Sequence, residues 1–156
     1  MLIRVIAVGT RMPAWVGTAV DDYLKRLPAG FTVEFREVRA EPRSRTGTAS
    51  AWLRREAARI EAALPGGSRI VTLDERGADV DTQRFAARLH AWRDDARPVA
   101  ILIGGPDGLD PTLKMRSDES LRLSSLTLPH PLVRVLLAEQ LYRGWSLLSG
   151  HPYHRD

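Results

Sequence analysis

Residues 99–109 read VAILIGGPDGL, and the fold that the sequence predicts is built around this stretch. The apolar run 99–103 has the length and composition of a buried strand. Two glycines follow it, and Asp110-Pro111 then has the pattern of a cap and first residue of a short helix. Ligands of open α/β sheets bind at the carboxyl ends of strands, where glycine lets a ligand approach the backbone. The stretch therefore predicts either a ligand-binding loop or a tight structural turn.

Further β-rich runs precede this strand, and helical patterns separate them. These runs are residues 2–8, 31–38 and 69–73. Strands that alternate with helices are typical of an α/β fold, in which helices flank a mostly parallel sheet.

The intervening helices are marked by capping residues, breakers and apolar spacing. We expect the first to begin near Pro13 and end before Pro28, and the second to cover residues 50–64. Thr82 is expected to cap the third helix. The third helix carries core residues on one face, namely Phe85, Leu89 and Trp92.

Composition narrows the class of protein. The 156 residues contain no repeat or linker, so we expect one domain over residues 1–156. The net charge of +4 favours a polyanionic partner such as RNA, although an arginine-rich composition alone would give the same charge. The absence of cysteine excludes disulfides and Cys-ligated zinc. The apolar run at the amino terminus is too short for a membrane span and lacks a signal-peptide pattern, so we expect a cytoplasmic protein.

The first strand ends in VGTRM, residues 8–12, without the glycine pattern that binds a dinucleotide pyrophosphate. No phosphate-binding loop of the GxxxxGK[ST] type occurs either. Ordinary dinucleotide-binding enzymes and P-loop NTPases are therefore disfavoured. The polar, arginine-containing residues 39–47 predict an exposed loop, which is either simply solvated or an arm that faces RNA.

The carboxyl-terminal third holds the other segments that suggest chemistry. Residues 123–131, LSSLTLPHP, combine hydroxyls with apolar side chains, which suits an adenine ring and a thioether. Residues 132–148 form a helix that is apolar nearly all round, so we expect it to pack on the sheet and on a second subunit. Its polar exceptions are Arg134, Glu139, Gln140 and Arg143, of which Glu139 and Arg143 have the spacing of an ordinary helical ion pair.

The terminal residues 150–156, GHPYHRD, place two histidines, a tyrosine and an arginine together. Three interpretations remain open for this tail. It is a small set of catalytic groups, a disordered terminus, or a metal site made by its two histidines with Asp156.

Four segments together resemble one family. Residues 103–109, 123–131, 139–143 and 151–155 are similar to the ribosomal RNA large subunit methyltransferase H family of the SPOUT superfamily. The resemblance spans the whole chain and implies N3 methylation of a pseudouridine in 23S rRNA of the large subunit or assembled ribosome. It also implies a SPOUT-type α/β knot, with a trefoil knot in the carboxyl-terminal half, and a homodimer whose active sites each use two subunits.

The resemblance further implies S-adenosylmethionine as the methyl donor, without a metal. The residues expected to bind this cofactor are Leu73, Gly104, Leu123, Ser124, Ser125, Leu126, Thr127 and Leu128. In this scheme His154 lies near the imide proton of the target base, and Tyr153 and Arg155 position the base and a phosphate. Arg4, Arg11 and residues 39–45 are expected to contact backbone phosphates.

Two other classes of protein compete with this interpretation. One is a non-catalytic ribosome-binding factor, in which the glycine loop is only a turn. The other is a flavodoxin-like nucleotide-binding protein, against which the missing phosphate loop after the first strand counts. Binding of S-adenosylmethionine discriminates the enzyme from a ribosome-binding factor. Absorbance of a bound flavin would indicate a flavodoxin-like protein instead.

Overall fold

The computed structural model describes the backbone of residues 1–155 and the side chains of residues 1–154. Five parallel strands form one sheet in the order β2-β1-β4-β3-β5. The strands are β1 (Leu2–Val8), β2 (Thr32–Val38), β3 (Arg69–Asp79), β4 (Val99–Ile103) and β5 (Glu119–Arg122). The helices are α1 (Ala14–Leu24), α2 (Ala49–Ala63), α3 (Thr82–Asp95), α4 (Pro111–Met115) and α5 (His130–Ser149), followed by a 3₁₀ turn (Pro152–Arg155).

Helices cover both faces of the sheet, which explains the continuous apolar runs. All five residues of β4 are buried, because successive side chains enter opposite layers of the core. Ile101 packs in the layer formed with α3 and α5, whereas Leu102 packs in the layer formed with α2 and α4. The predicted core residues of α3 are confirmed, namely Phe85, Leu89 and Trp92.

The predicted mostly parallel sheet flanked by helices is confirmed, but three local predictions need correction. β2 begins one residue later than expected, at Thr32, and β3 continues six residues beyond Leu73 to Asp79. Asp81, not Thr82, caps α3, because its carboxylate accepts the N–H of Arg84 at 2.8 Å. The Thr82 hydroxyl instead donates to Gln140 on α5 at 3.0 Å.

β5 was not predicted from the sequence. It pairs only with β3 at the edge of the sheet, and Leu121 is the one fully buried residue among its four. An edge strand needs few apolar residues, so its pattern is weak. The trefoil knot implied by the resemblance stays a prediction. Within residues 1–155, every helix is too short or too polar to cross a membrane.

Candidate active site

A cavity of about 1200 Å³ opens where β1, β3, β4 and β5 end. This volume accommodates a drug-sized organic ligand, and the location is the one that parallel α/β sheets use for ligands. Most of its lining comes from residues 8–12, 73–76, 103–109, 122–124 and 126–128. The sequence segments that follow different strands therefore meet at one site.

The glycine loop after β4 is both a tight turn and a wall of this cavity. Gly108 donates its N–H to the Gly105 carbonyl at 3.0 Å, which folds the loop back on itself. A Cβ on Gly104 would lie 2.5 Å from the carbonyl carbon of Gly108, closer than side chains approach backbone. The turn itself therefore requires glycine at this position, and a bulky residue there would disrupt the loop rather than only obstruct a ligand.

The loop after β5 supplies apolar side chains to the same cavity. Leu123, Ser124, Leu126, Thr127 and Leu128 line it, whereas Ser125 does not. The Ser124 hydroxyl accepts the N–H of Leu126 at 2.9 Å and so shapes the loop. Leu126 is 76% exposed, an unusual state for leucine that places an uncovered apolar side chain at the cavity.

β3 is interrupted beside the cavity. Both Leu73 and Ala78 pair with Leu121 of β5, so the four residues between them bulge out of the ladder. A Cβ on Gly77 would lie 2.6 Å from the Leu121 backbone, so only glycine fits this close approach. The bulge leaves Leu73 at the cavity wall.

An ion pair fixes the start of this bulge. The Lys114 ammonium lies 2.7 Å from the Asp74 carboxylate, and both residues line the cavity. Burial alone would raise the pKa of Asp74, but the hydrogen bonds from Lys114 and from the Arg76 N–H outweigh it and lower the pKa. Asp74 is therefore a fixed anion that ties β3 to α4.

The terminal residues pack against α5. The Tyr153 hydroxyl donates to the Glu139 carboxylate at 3.1 Å, and its ring centroid lies 4.6 Å from that of Tyr142. Glu139 also accepts the Nε–H of Arg143 at 2.7 Å, which confirms the predicted helical pair. Burial, and then the charge of Glu139, raises the pKa of Tyr153 far above its ordinary value. Its phenol is therefore a proton-bearing hydrogen-bond donor.

His154 lines a second, smaller cavity of about 560 Å³, together with Glu139 and Arg143. Its Nδ1 is buried and has no hydrogen-bond partner among the residues that the structure describes. The side chain of Arg155 and the whole of Asp156 lie outside the described residues, and so do the roles predicted for them. No three metal-ligating side chains come together in the described part of the chain.

The two cavities share no lining residue. Within one chain, neither Tyr153 nor His154 lines the cavity of the predicted cofactor residues. The structure places the two sets of site residues in separate locations, one at the carboxyl edge of the sheet and one on α5.

Two arginines proposed for phosphate contacts have partners within the fold. Arg4 lies 2.6 Å from Glu34 and donates to a backbone carbonyl of α2 at 2.9 Å, and its phosphate contact stays a prediction. Arg43 lies 2.7 Å from Glu56 and 2.8 Å from Asp107 of the glycine loop. These ion pairs neutralise the charges of Arg4 and Arg43. The pair between Arg43 and Asp107 also joins residues 39–47 to the cavity wall.

Three other arginines line the cavity without such partners. They are Arg11, Arg39 and Arg76. No side-chain hydrogen bond or ion pair of these guanidinium groups occurs among the side chains of residues 1–154. Each is exposed, so these guanidinium groups are accessible at the cavity rim.

Sequence reasoning assigned no role of their own to two residues at or near the cavity. His130 belongs to the segment 123–131 that was predicted to suit a ligand, and it lines the cavity. Arg134 was noted as a polar residue on an apolar helix, yet it is buried beneath the cavity loops. An arginine in a helix that is apolar nearly all round is the signal that could have indicated buried partners, because a buried charge requires them.

Sequence comparison assigns the chain to a family. The profile of the predicted SPOUT methyltransferases matches residues 1–154. The chain belongs to the SPOUT methyltransferase family. This SPOUT methyltransferase is 57% identical over 155 residues to the ribosomal RNA large subunit methyltransferase H of Bordetella petrii, covering 99% of each chain. It is 58% identical over 156 residues to the protein of the same name from Methylibium petroleiphilum, covering 100% of each.

Among solved structures, the methyltransferase resembles a probable methylase family protein from Haemophilus influenzae. The TM-score is 0.58 at 15% identity, and the match covers 97% of this chain and 69% of the other. At this identity the similarity concerns the fold alone.

Proposed function

We propose that this SPOUT methyltransferase transfers the methyl group of S-adenosylmethionine to N3 of a pseudouridine in 23S rRNA. The substrate is the large ribosomal subunit or the assembled ribosome, and residues 1–156 act as one catalytic domain in the cytoplasm. Full-length similarity to proteins named ribosomal RNA large subunit methyltransferase H supports the reaction. The observation that carries the proposal is the cavity, because seven of the eight expected cofactor residues line it.

The cavity has the chemistry that S-adenosylmethionine requires. Leu73, Leu123, Leu126 and Leu128 offer apolar surface to an adenine ring and a thioether chain. The glycine loop offers backbone groups next to that surface. When bound, the cofactor supplies an activated methyl group, so the protein mainly aligns the attacking nitrogen and accepts its proton.

The tail is proposed to act on the base rather than on the cofactor. Tyr153 keeps its proton and can donate a hydrogen bond to a carbonyl of the base, in place of the one it gives Glu139. His154 is the proposed proton acceptor, since histidine exchanges protons near neutral pH. Arg155 is proposed to hold a phosphate.

The separation of the two cavities supports a homodimer in which the tail of one subunit completes the site of the other. Apolar side chains on the outer surfaces of α1 and α5 are exposed, with Trp15 at 50%, Leu132 at 41% and Leu136 at 38%. α1 and α5 pack on each other, so these side chains belong to one helical layer that a second copy could cover. An isologous contact through this layer would be self-complementary.

Titration calorimetry with S-adenosylmethionine tests the cofactor site, using Leu126→Glu as the disruptive variant. Leu126 is exposed, so this substitution changes the cavity wall without opening the core. Met115→Glu is the matched control, because Met115 is 87% exposed and does not line the cavity. We expect saturable binding by the wild type and by Met115→Glu, and strongly weakened binding by Leu126→Glu. Absence of binding by the wild type, with and without ribosomes, would favour a ribosome-binding factor instead.

A further inference from the structure

The first two turns of α5 connect several segments around the cavity. The Arg134 guanidinium donates from Nη2 to the Gly9 carbonyl at 2.8 Å and from Nη1 to the Glu37 carboxylate at 2.5 Å. Its Nε donates to Nε2 of His130 at 2.9 Å. The Arg134 side chain is only 4% exposed, so this charge is committed to these partners. One side chain therefore joins the ends of β1 and β2 to the start of α5.

His130 extends the connection to β4. Its ring also interacts with the Gly104 backbone, and this interaction favours the protonated ring. A neutral ring that accepts at Nε2 carries its single proton on Nδ1. Burial, and then the charge of Arg134, lowers the pKa of His130, so the ring is neutral at neutral pH.

We propose that Arg134 and His130 are positioning residues for the methyl donor, because they fix the loops that follow β1 and β4 before S-adenosylmethionine enters. Gly9, Gly104 and His130 all line the cavity, so movement of any of them changes its shape. Loops that are already ordered lose less conformational entropy when a ligand binds. This role rests on the proposed function, namely that the cavity binds S-adenosylmethionine.

Two conservative variants separate the two interactions of His130, namely the hydrogen bond from Arg134 and the interaction with the Gly104 backbone. In His130→Asn the side-chain amide lies near the position of Nδ1, so it can still donate to Gly104 but no longer reaches Arg134. In His130→Gln the carbonyl lies near the position of Nε2, so it can still accept from Arg134 but no longer holds Gly104. His130→Ala removes both interactions. His90→Ala is the matched control, because His90 is exposed on α3 and does not line the cavity.

The first measurement is the dissociation constant for S-adenosylmethionine by calorimetry, with a thermal melt of each variant. We expect His130→Ala to weaken binding about tenfold and the Asn and Gln variants to weaken it by smaller factors, the range that the loss of about one hydrogen bond predicts. His90→Ala should bind as the wild type does. If His130→Ala does not fold, the Asn and Gln variants show whether His130 contributes to binding of S-adenosylmethionine.

The second measurement is the pH dependence of binding, which a purely structural histidine would not alter. The charged groups that act on the His130 ring are Arg134 and Glu37. Protonation removes the acceptor at Nε2 and places a second cation beside Arg134. Wild-type affinity should therefore fall as the pH drops below the lowered pKa of His130, and this component should be absent from the Asn and Gln variants.

The outcomes separate the positioning role from the proposed function. If the wild type binds S-adenosylmethionine and all His130 variants bind within about twofold of it with the same pH profile, the positioning role is wrong and the function stands. If the wild type does not bind, both are wrong. Weaker binding by the variants together with loss of the pH component supports both.

Discussion

At the scale of single residues, the surroundings of each arginine decide its role. Arg134 is buried and bonded to three segments, whereas Arg11, Arg39 and Arg76 are exposed at the cavity rim without side-chain partners among residues 1–154. An exposed guanidinium can pair with a phosphate without giving up an existing bond. The rim arginines are therefore the ones expected to contact RNA.

Replacing the three rim arginines with alanine should weaken RNA binding and reduce its salt dependence. Each lost phosphate contact should lower the slope of log affinity against log salt by about one. Arg97→Ala is the control, because Arg97 is exposed next to the amino end of β4, at the opposite edge of the sheet. The measurement is affinity for a 23S rRNA fragment over a salt series, alongside affinity for S-adenosylmethionine. An unchanged slope in the triple variant would contradict phosphate contacts at the rim.

The pKa of His130 predicts a pH dependence of stability. Its folded pKa lies below the ordinary value of 6.5, so the unfolded chain binds the proton more readily. Neutral His130 thus contributes stability that is complete above about pH 6.5 and is lost as the pH falls toward the folded pKa. We expect the difference in unfolding free energy between wild type and His130→Asn to shrink across this window in denaturant titrations. A constant difference would show that His130 does not titrate with folding.

At the scale of elements, the bulge in β3 and the close packing of β5 shape the cavity. Gly77→Ala would place a methyl group 2.6 Å from the Leu121 backbone, which should reduce the free energy of unfolding by about 1–3 kcal/mol. Gly17→Ala is the matched control, because nothing lies within 4 Å of that position in α1, and it should stabilise the fold by about 0.5–1 kcal/mol. Chemical denaturation measures both. Equal stability of Gly77→Ala and wild type would contradict the close approach.

The elements also show how far sequence reasoning reaches. β1 and β4 could be predicted because both of their faces are buried, so they are continuous apolar runs. β5 could not, since Leu121 is its one fully buried residue. The glycine loop and the loop after β5 could be predicted from residue types. The bonds from Arg134 to Gly9 and Glu37 could not, because they join positions that are distant in the sequence and meet only in the fold.

At the scale of the whole molecule, the separation of the two cavities predicts an active site shared between subunits. Leu126→Glu is expected to impair the cofactor cavity, and His154→Ala is expected to remove the proposed proton acceptor of the tail. If the tail of one subunit acts at the cavity of the other, a mixture of the two inactive variants should regain about a quarter of wild-type activity through mixed dimers. The measurement is methyl transfer after subunit exchange, with each variant alone as the control. No recovery in demonstrably mixed dimers would show that each chain uses its own tail.

Methyl transfer from labelled S-adenosylmethionine to ribosomes that lack the modification, followed by mapping of the labelled nucleotide, tests the proposed function most directly. The predicted result is one labelled pseudouridine in 23S rRNA, modified at N3, with the wild type and with Met115→Glu but not with Leu126→Glu. A protein that binds S-adenosylmethionine but labels no 23S rRNA, on large subunits or on assembled ribosomes, would contradict the proposed function.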